Sequence, residues 1–352
     1  MRLCLLSGLL VFVANLAMAS FSPHRFRFSL QQTMLRIKDP SRTVPFYQSN
    51  FGMTLLHKYD FPEYKFSLYF LGIPPAGEPA WPEPGTKESE ARLWSMPFSC
   101  IELTHNWQTE TQDDFKVNNG NVEPHRGFGH LAFMTPDVYA SCAKLEAAGV
   151  RFQKKPDEGR MKGLAFALCP DGYWLEVIPR SPQSTVPPAL PYTLAQTMMR
   201  VKDPVKSLRF YCDLLGMKLL RASDFSDFSL YFLATVPEGV EVPADPKSDE
   251  AAEFIRRGFF QVLELTHNHG TEADAAFSYH NGNDEDLGAG KLRGFGHVGF
   301  LVSGLDEACS GLEAAGVAFR KRPQDGAMRG LAFALDPDGY SVELIERGAS
   351  FA

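Results

Sequence analysis

The sequence lacks several features that would place it in a particular class of protein. No two of its cysteines form a CxxC pair, so disulfides and zinc-thiolate sites are not expected. Lys and Arg form no run longer than a few residues and the formal net charge is −7, which argues against nucleic-acid binding. We interpret the six scattered cysteines as reduced core residues: Cys4, Cys100, Cys142, Cys169, Cys212 and Cys309.

The N-terminus has the composition of a targeting signal. Residues 1–20 carry one basic residue, an apolar run interrupted by Asn15, and small residues at Ala17 and Ala19. This layout predicts a cleaved secretory signal, with no stable membrane association after cleavage because the run is short for a span. Residues 21–28 are a short basic leader that contains Phe. A signal followed by such a leader resembles the two-part targeting sequence of algae with complex plastids, and secretion is the alternative.

The rest of the chain is a tandem duplication. Gln32 and Gln196 stand 164 residues apart in matching motifs, and His130 and His297 stand 167 apart, so only small insertions separate the copies. The repeated motifs are QQTMLRIKDP with AQTMMRVKDP, FSLYFL, ELTHN, RGFGH, GLAFAL and PDGY. With 352 residues the chain has ample material for two domains. We place them at 29–180 and 192–347, joined by a Pro-rich linker, 181–191, and followed by a tail, 348–352.

The pattern within each copy predicts an α+β fold. Short segments rich in β-branched and aromatic residues alternate with helical patterns that end at a glycine, at 138–150 and 305–317. The order of strand, helix and several strands occurs twice per copy, which predicts paired βαβββ modules. These would form curved mixed sheets with outer helices and a free concave face. The segments 72–98 and 234–260, rich in Pro, Glu and Ala, are predicted to be surface loops with little helix.

Four polar residues recur at matched positions on the predicted strands. Side chains alternate between the two faces of a strand, so these groups would face one cavity. A single strand Glu is usually solvated, and a single His behind GFG is usually a core or turn residue. Recurrence of all the types in both copies favours a shared role, and two buried acids would require a cation. The predicted metal ligands are Gln32, Glu102, His130 and Glu176 in the first copy, with Gln196, Glu264, His297 and Glu343 in the second.

The type of ligand indicates the type of centre. Three oxygens and one imidazole, without a thiolate, differ from a closed structural zinc site. They suit a higher-coordinate Zn²⁺, Ni²⁺, Co²⁺ or Mn²⁺ ion with room for substrate oxygens. Carboxylate-binding residues around the ligand strands favour an anionic substrate: Arg36, Asn106, Arg126 and Lys154, with Arg200, Asn268, Arg293 and Lys321. The loops 159–163 and 326–330 place Met161 and Met328 between glycines, as in a mobile cover.

Together these motifs closely resemble glyoxalase I, the lactoylglutathione lyase family of the vicinal-oxygen-chelate superfamily, from about residue 29 to 347. The order of motifs is kept twice, as in the eukaryotic form in which two fused domains replace a homodimer. The resemblance implies a monomer with two composite sites between its tandem glyoxalase domains, each holding one metal ion, with zinc favoured. One site would join Gln32 and Glu102 to His297 and Glu343; the other would join Gln196 and Glu264 to His130 and Glu176.

The resemblance also implies a reaction. Its substrate is the hemithioacetal of glutathione and methylglyoxal, and its product is S-D-lactoylglutathione. Glu343 or Glu176 would be the catalytic base that moves a proton from C1 to C2, with the metal ion as Lewis acid. The glutathione carboxylates would contact Arg36, Asn106, Arg293 and Lys321, with Met328, in one site; in the other they would contact Arg200, Asn268, Arg126 and Lys154, with Met161 and Trp174.

The two copies are not identical near these positions. Trp174 is matched by Ser341, and Arg160 by Ala327, so we expect two sites with unequal kinetics. Two other functions fit the motifs less well. An extradiol dioxygenase would need two His and one carboxylate for iron, but the first ligand here is Gln. A non-catalytic sequestering protein of the same fold would have no need of metal ligands in both copies.

Overall fold

The computed structural model of the chain describes residues 21–187, 190–258, 261–284, 293–326 and 328–351. The predicted signal peptide at 1–20 lies outside these residues, as do Cys4 and Ala327. The five described cysteines are free, which confirms their interpretation as reduced residues. Across the described ranges, no helix has the length and apolar character needed to cross a membrane.

Each half of the chain supplies strands in the same order. The first half contains β1 (Ser29–Ile37), β2 (Thr54–Phe61), β3 (Phe66–Gly72), β4 (Cys100–Asn106), β5 (Phe128–Thr135), β6 (Phe152–Lys154), β7 (Ala165–Leu168) and β8 (Trp174–Pro179). The second half contains β9 (Thr193–Arg200), β10 (Lys218–Asp224), β11 (Phe228–Ala234), β12 (Val262–Asn268), β13 (Phe295–Val302), β14 (Phe319–Lys321), β15 (Leu331–Leu335) and β16 (Ser341–Glu346).

Helices connect these strands. They are α1 (Pro40–Phe51), α2 (Lys87–Leu93), α3 (Val138–Ala147), α4 (Pro204–Leu208), α5 (Asp249–Arg256) and α6 (Leu305–Ala314), with a π-helical stretch, Arg209–Leu214, directly after α4. Single 3₁₀ turns lie at Pro23–Phe26, Thr109–Thr111 and Thr271–Ala273. The repeated KDP motif explains two helix starts, because Asp39 and Asp203 cap α1 and α4 and a proline follows each cap.

The strands form two mixed sheets that each combine both halves. The first sheet has the order β14-β15-β16-β13-β1-β4-β3-β2, and the second has the order β10-β11-β12-β9-β5-β8-β7-β6. The halves join through antiparallel pairs, β1 with β13 and β5 with β9. Within each half, the ligand-bearing strands pair in parallel, as β1 with β4 and β13 with β16. The predicted α+β class and its mixed sheets are confirmed.

The expectation that 72–98 and 234–260 contain little helix was wrong. The side chains of Thr86 and Ser248 each accept a hydrogen bond from a backbone N–H three residues on, and so cap α2 and α5. Acidic residues in the first turn of each helix add a favourable interaction with its dipole. The Pro-rich flanks are irregular, but the short capped segment between them is helical.

The two halves meet at equivalent residues. Phe128 stacks on Phe295 with ring centroids 5.2 Å apart, and the Thr33 and Thr197 hydroxyls lie 2.6 Å apart. The first glycine of each RGFGH motif permits a close backbone approach, since a Cβ on Gly294 would lie 1.7 Å from Asn118 O. The equivalent Gly127 is pressed against the opposite half in the same way. The first glycine of each motif is therefore required by contact between the halves.

Residues 21–28, predicted as a leader, pack against the second half. Phe26 and Phe28 are buried, and Phe26 O accepts a hydrogen bond from Ser303 N at 2.8 Å. The Arg25 guanidinium pairs with Glu307 on α6 at 2.5 Å. This segment therefore contributes to the core of the folded protein.

Truncating Phe26 should destabilise the whole protein. Phe26→Ala removes a buried ring and leaves a cavity, at a cost of about 3–5 kcal/mol of unfolding free energy. Phe225→Ala, at an exposed phenylalanine, is the matched control and should cost much less. Chemical denaturation of both variants measures the difference, and equal losses would contradict the packing role of residues 21–28.

Asp336 should make stability depend on pH. It is buried and accepts hydrogen bonds from the Tyr211 hydroxyl and from two backbone N–H groups. Burial, and then the neighbouring Asp338 carboxylate, raise the pKa of Asp336 to about 7. Because its pKa is raised in the folded state, protonated Asp336 contributes to the free energy of unfolding. That stabilising contribution is fully present below the ordinary pKa of Asp and is lost as pH rises through 7.

Replacing this acid should flatten the pH profile. The Asp336→Asn variant should gain stability relative to the natural chain between pH 5 and pH 8, as measured by thermal unfolding at several pH values. Asp336→Cys, which introduces the residue found at the matching position 169, provides a second non-titrating comparison over most of this range. Parallel profiles for all three proteins would contradict the assignment.

Candidate active sites

Four polar side chains from both halves meet at the first sheet, in a group that we call site one. Gln32 on β1 and Glu102 on β4 come from the first half, while His297 on β13 and Glu343 on β16 come from the second. Gln32 Nε2 donates to Glu102 Oε2 at 2.6 Å and to Glu343 Oε2 at 2.8 Å. His297 Nε2 lies 2.9 Å from Glu343 Oε2 and 3.2 Å from Glu102 Oε2. The parallel pairing within each half and the antiparallel junction bring these residues together.

The second sheet repeats the arrangement as site two. Gln196 on β9 and Glu264 on β12 meet His130 on β5 and Glu176 on β8. Gln196 Nε2 donates to Glu264 Oε2 at 2.7 Å and to Glu176 Oε2 at 3.3 Å. His130 Nε2 lies 3.3 Å from Glu176 Oε2 and 3.5 Å from Glu264 Oε2. The structure thus brings together the predicted members of both sites, each drawn from both halves.

Burial gives these groups unusual proton affinities. Burial raises the pKa of Glu102, although His297 opposes the shift. Burial lowers the pKa of His297, but Glu343 and Glu102 outweigh it and bring the value to about 10. In site two, burial raises the pKa of Glu264. Burial lowers the pKa of His130, but Glu176 and Glu264 outweigh it and bring the value to about 9. Each imidazole therefore takes up a proton that partly compensates two buried carboxyl groups.

The same residues fit a metal ion. One ligand atom each from Glu102, His297 and Glu343 lie within 4.8 Å of one another, and the same holds for His130, Glu176 and Glu264. Within the described ranges, Gln32 Oε1 is buried and has no hydrogen-bond partner. Rotating that amide would turn Oε1 toward the two carboxylates, so that one amide oxygen, two carboxylates and one imidazole would converge. This donor set is suited to a divalent cation with nitrogen and oxygen ligands.

Phenylalanines that the sequence analysis missed pack against the histidines. Phe333 lies 5.4 Å from His297 between ring centroids, and Phe166 lies 5.3 Å from His130. Their Cα atoms pair with Glu343 and Glu176 across the adjacent strands. Both residues belong to the repeated GLAFAL motif, which could have indicated them. They restrict the orientation of the imidazole and cover it with apolar surface.

Two of the predicted arginines, Arg36 and Arg200, are held by backbone and amide oxygens. Arg36 Nη2 donates to Asn283 Oδ1, and Arg200 Nη2 donates to Asn121 Oδ1, both at 2.9 Å. Burial lowers the pKa of Arg36 to about 10; the charge of Arg293 adds to this shift and that of Glu102 opposes it. These couplings place Arg36 and Arg293, from opposite halves, in one electrostatic environment with site one.

Site two has the corresponding arginine pair. Burial lowers the pKa of Arg200, and the charge of Arg126 adds to the shift while Glu264 opposes it. Arg126 also forms an ion pair with Glu123 at 3.2 Å. The predicted pairs of arginines are therefore each brought together across the halves.

The predicted lysines brace the loops before β7 and β15. Lys154 Nζ donates to Leu164 O at 2.6 Å, and Lys321 Nζ donates to Met328 O at 2.7 Å and to Leu331 O at 3.0 Å. Burial lowers the pKa of both lysines, and the charges of Glu176 and Glu343 oppose this shift at Lys154 and Lys321 respectively. Each lysine thus lies in register with the acid predicted to be the catalytic base, two strands away across the phenylalanine of the GLAFAL motif.

The other predicted contacts differ between the sites. Asn106 is exposed at the end of β4, whereas Asn268 Nδ2 donates to the Tyr279 hydroxyl at 2.7 Å. Trp174 is half-buried and packs on Phe166, with centroids 5.3 Å apart. Met161 is exposed and Met328 is half-buried. The roles of all these side chains toward a substrate stay predictions.

Comparison with known proteins gives one family. The model of the Glyoxalase/Bleomycin resistance protein/Dioxygenase superfamily matches residues 29–177 and 193–344. Glyoxalase I of Saccharomyces cerevisiae is 44% identical over 326 residues, covering 91% of this chain and 92% of the relative. Lactoylglutathione lyase of Schizosaccharomyces pombe is 41% identical over 323 residues, covering 91% and 97%.

A solved structure agrees. The crystal structure of glyoxalase I from Zea mays superposes with a TM-score of 0.64 at 26% identity, covering 92% of this chain and 94% of that one. The chain therefore belongs to the Glyoxalase/Bleomycin resistance protein/Dioxygenase superfamily. The resemblance to glyoxalase I that the motifs indicated is confirmed.

Metal stoichiometry should report how the ligands are paired. His297→Ala combined with Glu102→Ala removes two ligands from site one, so one metal ion per chain should remain. His297→Ala combined with Glu264→Ala removes one ligand from each site, so both ions should be weakened or lost. Metal analysis after dialysis against a weak chelator measures the difference. Equal metal content in the two double variants would contradict the cross-half pairing.

Proposed function

We propose that the protein is a metal-dependent glyoxalase I, a lactoylglutathione lyase. It isomerises the hemithioacetal of methylglyoxal and glutathione to S-D-lactoylglutathione and so serves methylglyoxal detoxification. The observation that carries the proposal is the convergence of one Gln, one His and two Glu, drawn from both halves, in each sheet. Two relatives of 44% and 41% identity, matched over most of their length, are named for this activity.

The residues of site one can be assigned to the steps. A bound divalent cation supplies Lewis acidity toward the substrate oxygens. Glu343 removes the proton at C1 and delivers it to C2, and base catalysis of this kind contributes about 10²–10⁴-fold. Glu102 is further anchored, since Thr104 Oγ1 donates to its Oε1 at 3.3 Å. Gln32 and His297 hold both acids, but Glu343 has no such additional anchor among the described residues. This difference favours Glu343 as the base of site one. Glu176 occupies the matching position in site two, but there the equivalent hydroxyl, Thr266 Oγ1, has no hydrogen-bond partner among the described residues, so its role as base rests on the resemblance between the two sites.

Substrate binding would use the charges around the acids. Arg36, Arg293 and Lys321 bring positive charge to site one, and Arg200, Arg126 and Lys154 bring it to site two. Glutathione has two carboxylates, which suit such groups. Phe333 and Phe166 exclude water from the histidine side of each site, which strengthens charge interactions within it.

We further propose zinc as the ion, one per site, on the basis of the similarity to long eukaryotic forms; Ni²⁺, Co²⁺ and Mn²⁺ suit the same ligands. Both sites are completed within one chain, which supports a monomer. The N-terminal signal would direct the protein into the secretory pathway, toward a complex plastid or secretion. The dioxygenase alternative is disfavoured because each site contains one His.

Activity should require metal. The rise in thioester absorbance is followed when residues 21–352 are mixed with pre-equilibrated methylglyoxal and glutathione. Chelation should abolish the rise, and zinc should restore it. Folded protein that remains inactive with every divalent ion tested would favour a sequestering protein, which would also purify without stoichiometric metal.

The two sites should turn over at different rates. Glu176→Gln leaves site one as the active site, and Glu343→Gln leaves site two. Trp174 packs on the phenylalanine of site two, whereas the equivalent Ser341 is buried at site one, so the two pockets differ in shape. Steady-state kinetics of the two variants should therefore give different KM and kcat values, and the double variant should be inactive. Equal constants for the single variants would contradict this expectation.

A further inference from the structure

The chain that follows β16 returns to the first half of the protein. Gly348 N donates to Trp94 O at 2.9 Å, directly after α2. The Phe351 ring meets the Trp94 ring edge-on, with centroids 5.5 Å apart. Of the predicted tail the structure describes residues 348–351, and "the tail" refers to these residues below. Its contacts fix it on α2, which belongs to the other half.

A buried carboxylate on α2 accepts hydrogen bonds from the tail. Glu90 on α2 is 3% exposed and accepts hydrogen bonds from Phe351 N at 2.7 Å, Ser350 Oγ at 2.8 Å and the Tyr59 hydroxyl at 2.6 Å. Burial raises the pKa of Glu90, but these donors outweigh it and the net pKa is lowered. Two of the three donors belong to the tail, so the tail supplies most of the hydrogen bonds that this buried carboxylate requires.

The tail also joins the apolar surface beside site one. Phe70 and Phe333 pair through their Cα atoms with Glu102 and Glu343, so they lie in register with the metal ligands. These two residues belong to one apolar cluster with Tyr59, Trp94, Met328, Ala349 and Phe351. The Met328 side chain and the tail therefore pack against the same wall of site one.

The tail lies against the loop that carries Met328. A Cβ on Gly330 would lie 3.7 Å from Phe351 Cε1 and 3.8 Å from Ala349 Cβ. Glu346 N donates to Gly330 O at 3.0 Å, and Lys321 Nζ donates to Met328 O at 2.7 Å. Residues 328–330 are thus held from one side by Lys321 and from the other by the tail.

Site two lacks this support within the described residues. No atom lies within 4 Å of a Cβ placed on Gly163, and Met161 is 45% exposed. The chain after β8 docks on α5 through Ser181, whose N–H donates to Arg256 O and whose hydroxyl bonds Glu253. Arg256 thus takes the place that Trp94 has in the first half. The two loops have similar sequences but different surroundings.

We propose that Phe351 and Glu90 are positioning residues for site one: they hold residues 328–330 against its apolar wall. The loop of site one is therefore held by the tail in addition to Lys321, whereas the corresponding loop of site two is held by Lys154 and by the Gly163 N–H bond to Pro156 O. More of the ordering of the second loop is then left to substrate binding. The expected change in KM rests on the function proposed above, whereas the bracing of residues 328–330 by the tail does not depend on that function. Loss of Phe351 should loosen the loop and weaken binding at site one alone.

Limited trypsin digestion tests the bracing without any requirement for activity. Lys162 and Arg329 are exposed, and each precedes the final glycine of its loop, which makes them matched cleavage sites. In the natural chain, cleavage after Lys162 should be faster than cleavage after Arg329, as followed by mass spectrometry. Phe351→Ala should accelerate cleavage after Arg329 by roughly two- to tenfold, the range expected for the loss of one aromatic pair. Cleavage after Lys162 should not change.

Kinetics in single-site backgrounds test the consequence. With Glu176→Gln, Phe351→Ala should raise KM by roughly two- to tenfold while kcat stays the same. With Glu343→Gln it should change neither constant. Phe351→Leu should restore part of the effect in both assays, and Glu90→Gln should loosen the loop to a smaller degree. Thermal unfolding confirms that each variant is folded.

The outcomes can be separated. Unchanged cleavage after Arg329 in folded Phe351→Ala would overturn the proposal, as would equal acceleration at both loops. An equal change of KM in both backgrounds would also overturn it. If the single-site variants and the natural chain have no lyase activity, the proposed function fails while the trypsin result still decides the bracing.

Discussion

The burial of charge at the centre of each sheet sets the strongest constraint on this structure. Two carboxyl groups and an imidazole share each site, and taking such groups out of water is unfavourable unless they compensate one another. The shifted pKa values of His297 and His130 show part of that compensation. A divalent cation would supply the rest, so the same residues that destabilise the empty chain would make metal binding stabilising.

The junction between the halves brings the buried charged groups close enough to compensate one another. Each half contributes a neighbouring pair of strands to each sheet, and the antiparallel contacts β1–β13 and β5–β9 place the two pairs side by side. Because both glycine-rich motifs press against the opposite half, small displacements of one half would move ligands of both sites. Precision at the sites therefore depends on packing between the halves, and neither half alone contains a complete set of the four residues.

Much of this could be predicted from the sequence because the chain repeats itself. Matched Gln, Glu and His residues stood out against diverged surroundings, and strand alternation placed several of them on one face. Their pairing across halves followed from family resemblance alone, since alternation says nothing about which strands become neighbours. The short helices α2 and α5 were hidden by Pro-rich flanks although Thr86 and Ser248 cap them. The contacts of Phe351 with Trp94 and Glu90 join distant parts of the chain, and no local pattern encodes them.

The order of strands has a consequence for how the protein is made. β1 lies near the start of the described chain, yet its partner β13 begins at Phe295. During synthesis, the first half emerges with β1 and β5 as unpaired edges, since their partners are still to be translated. Contacts of such long sequence separation form slowly, and exposed apolar edges favour aggregation. The nascent first half should therefore depend on chaperones until the second half has been translated. In a homodimer of single domains, by contrast, the missing strands come from a second chain whose synthesis is complete.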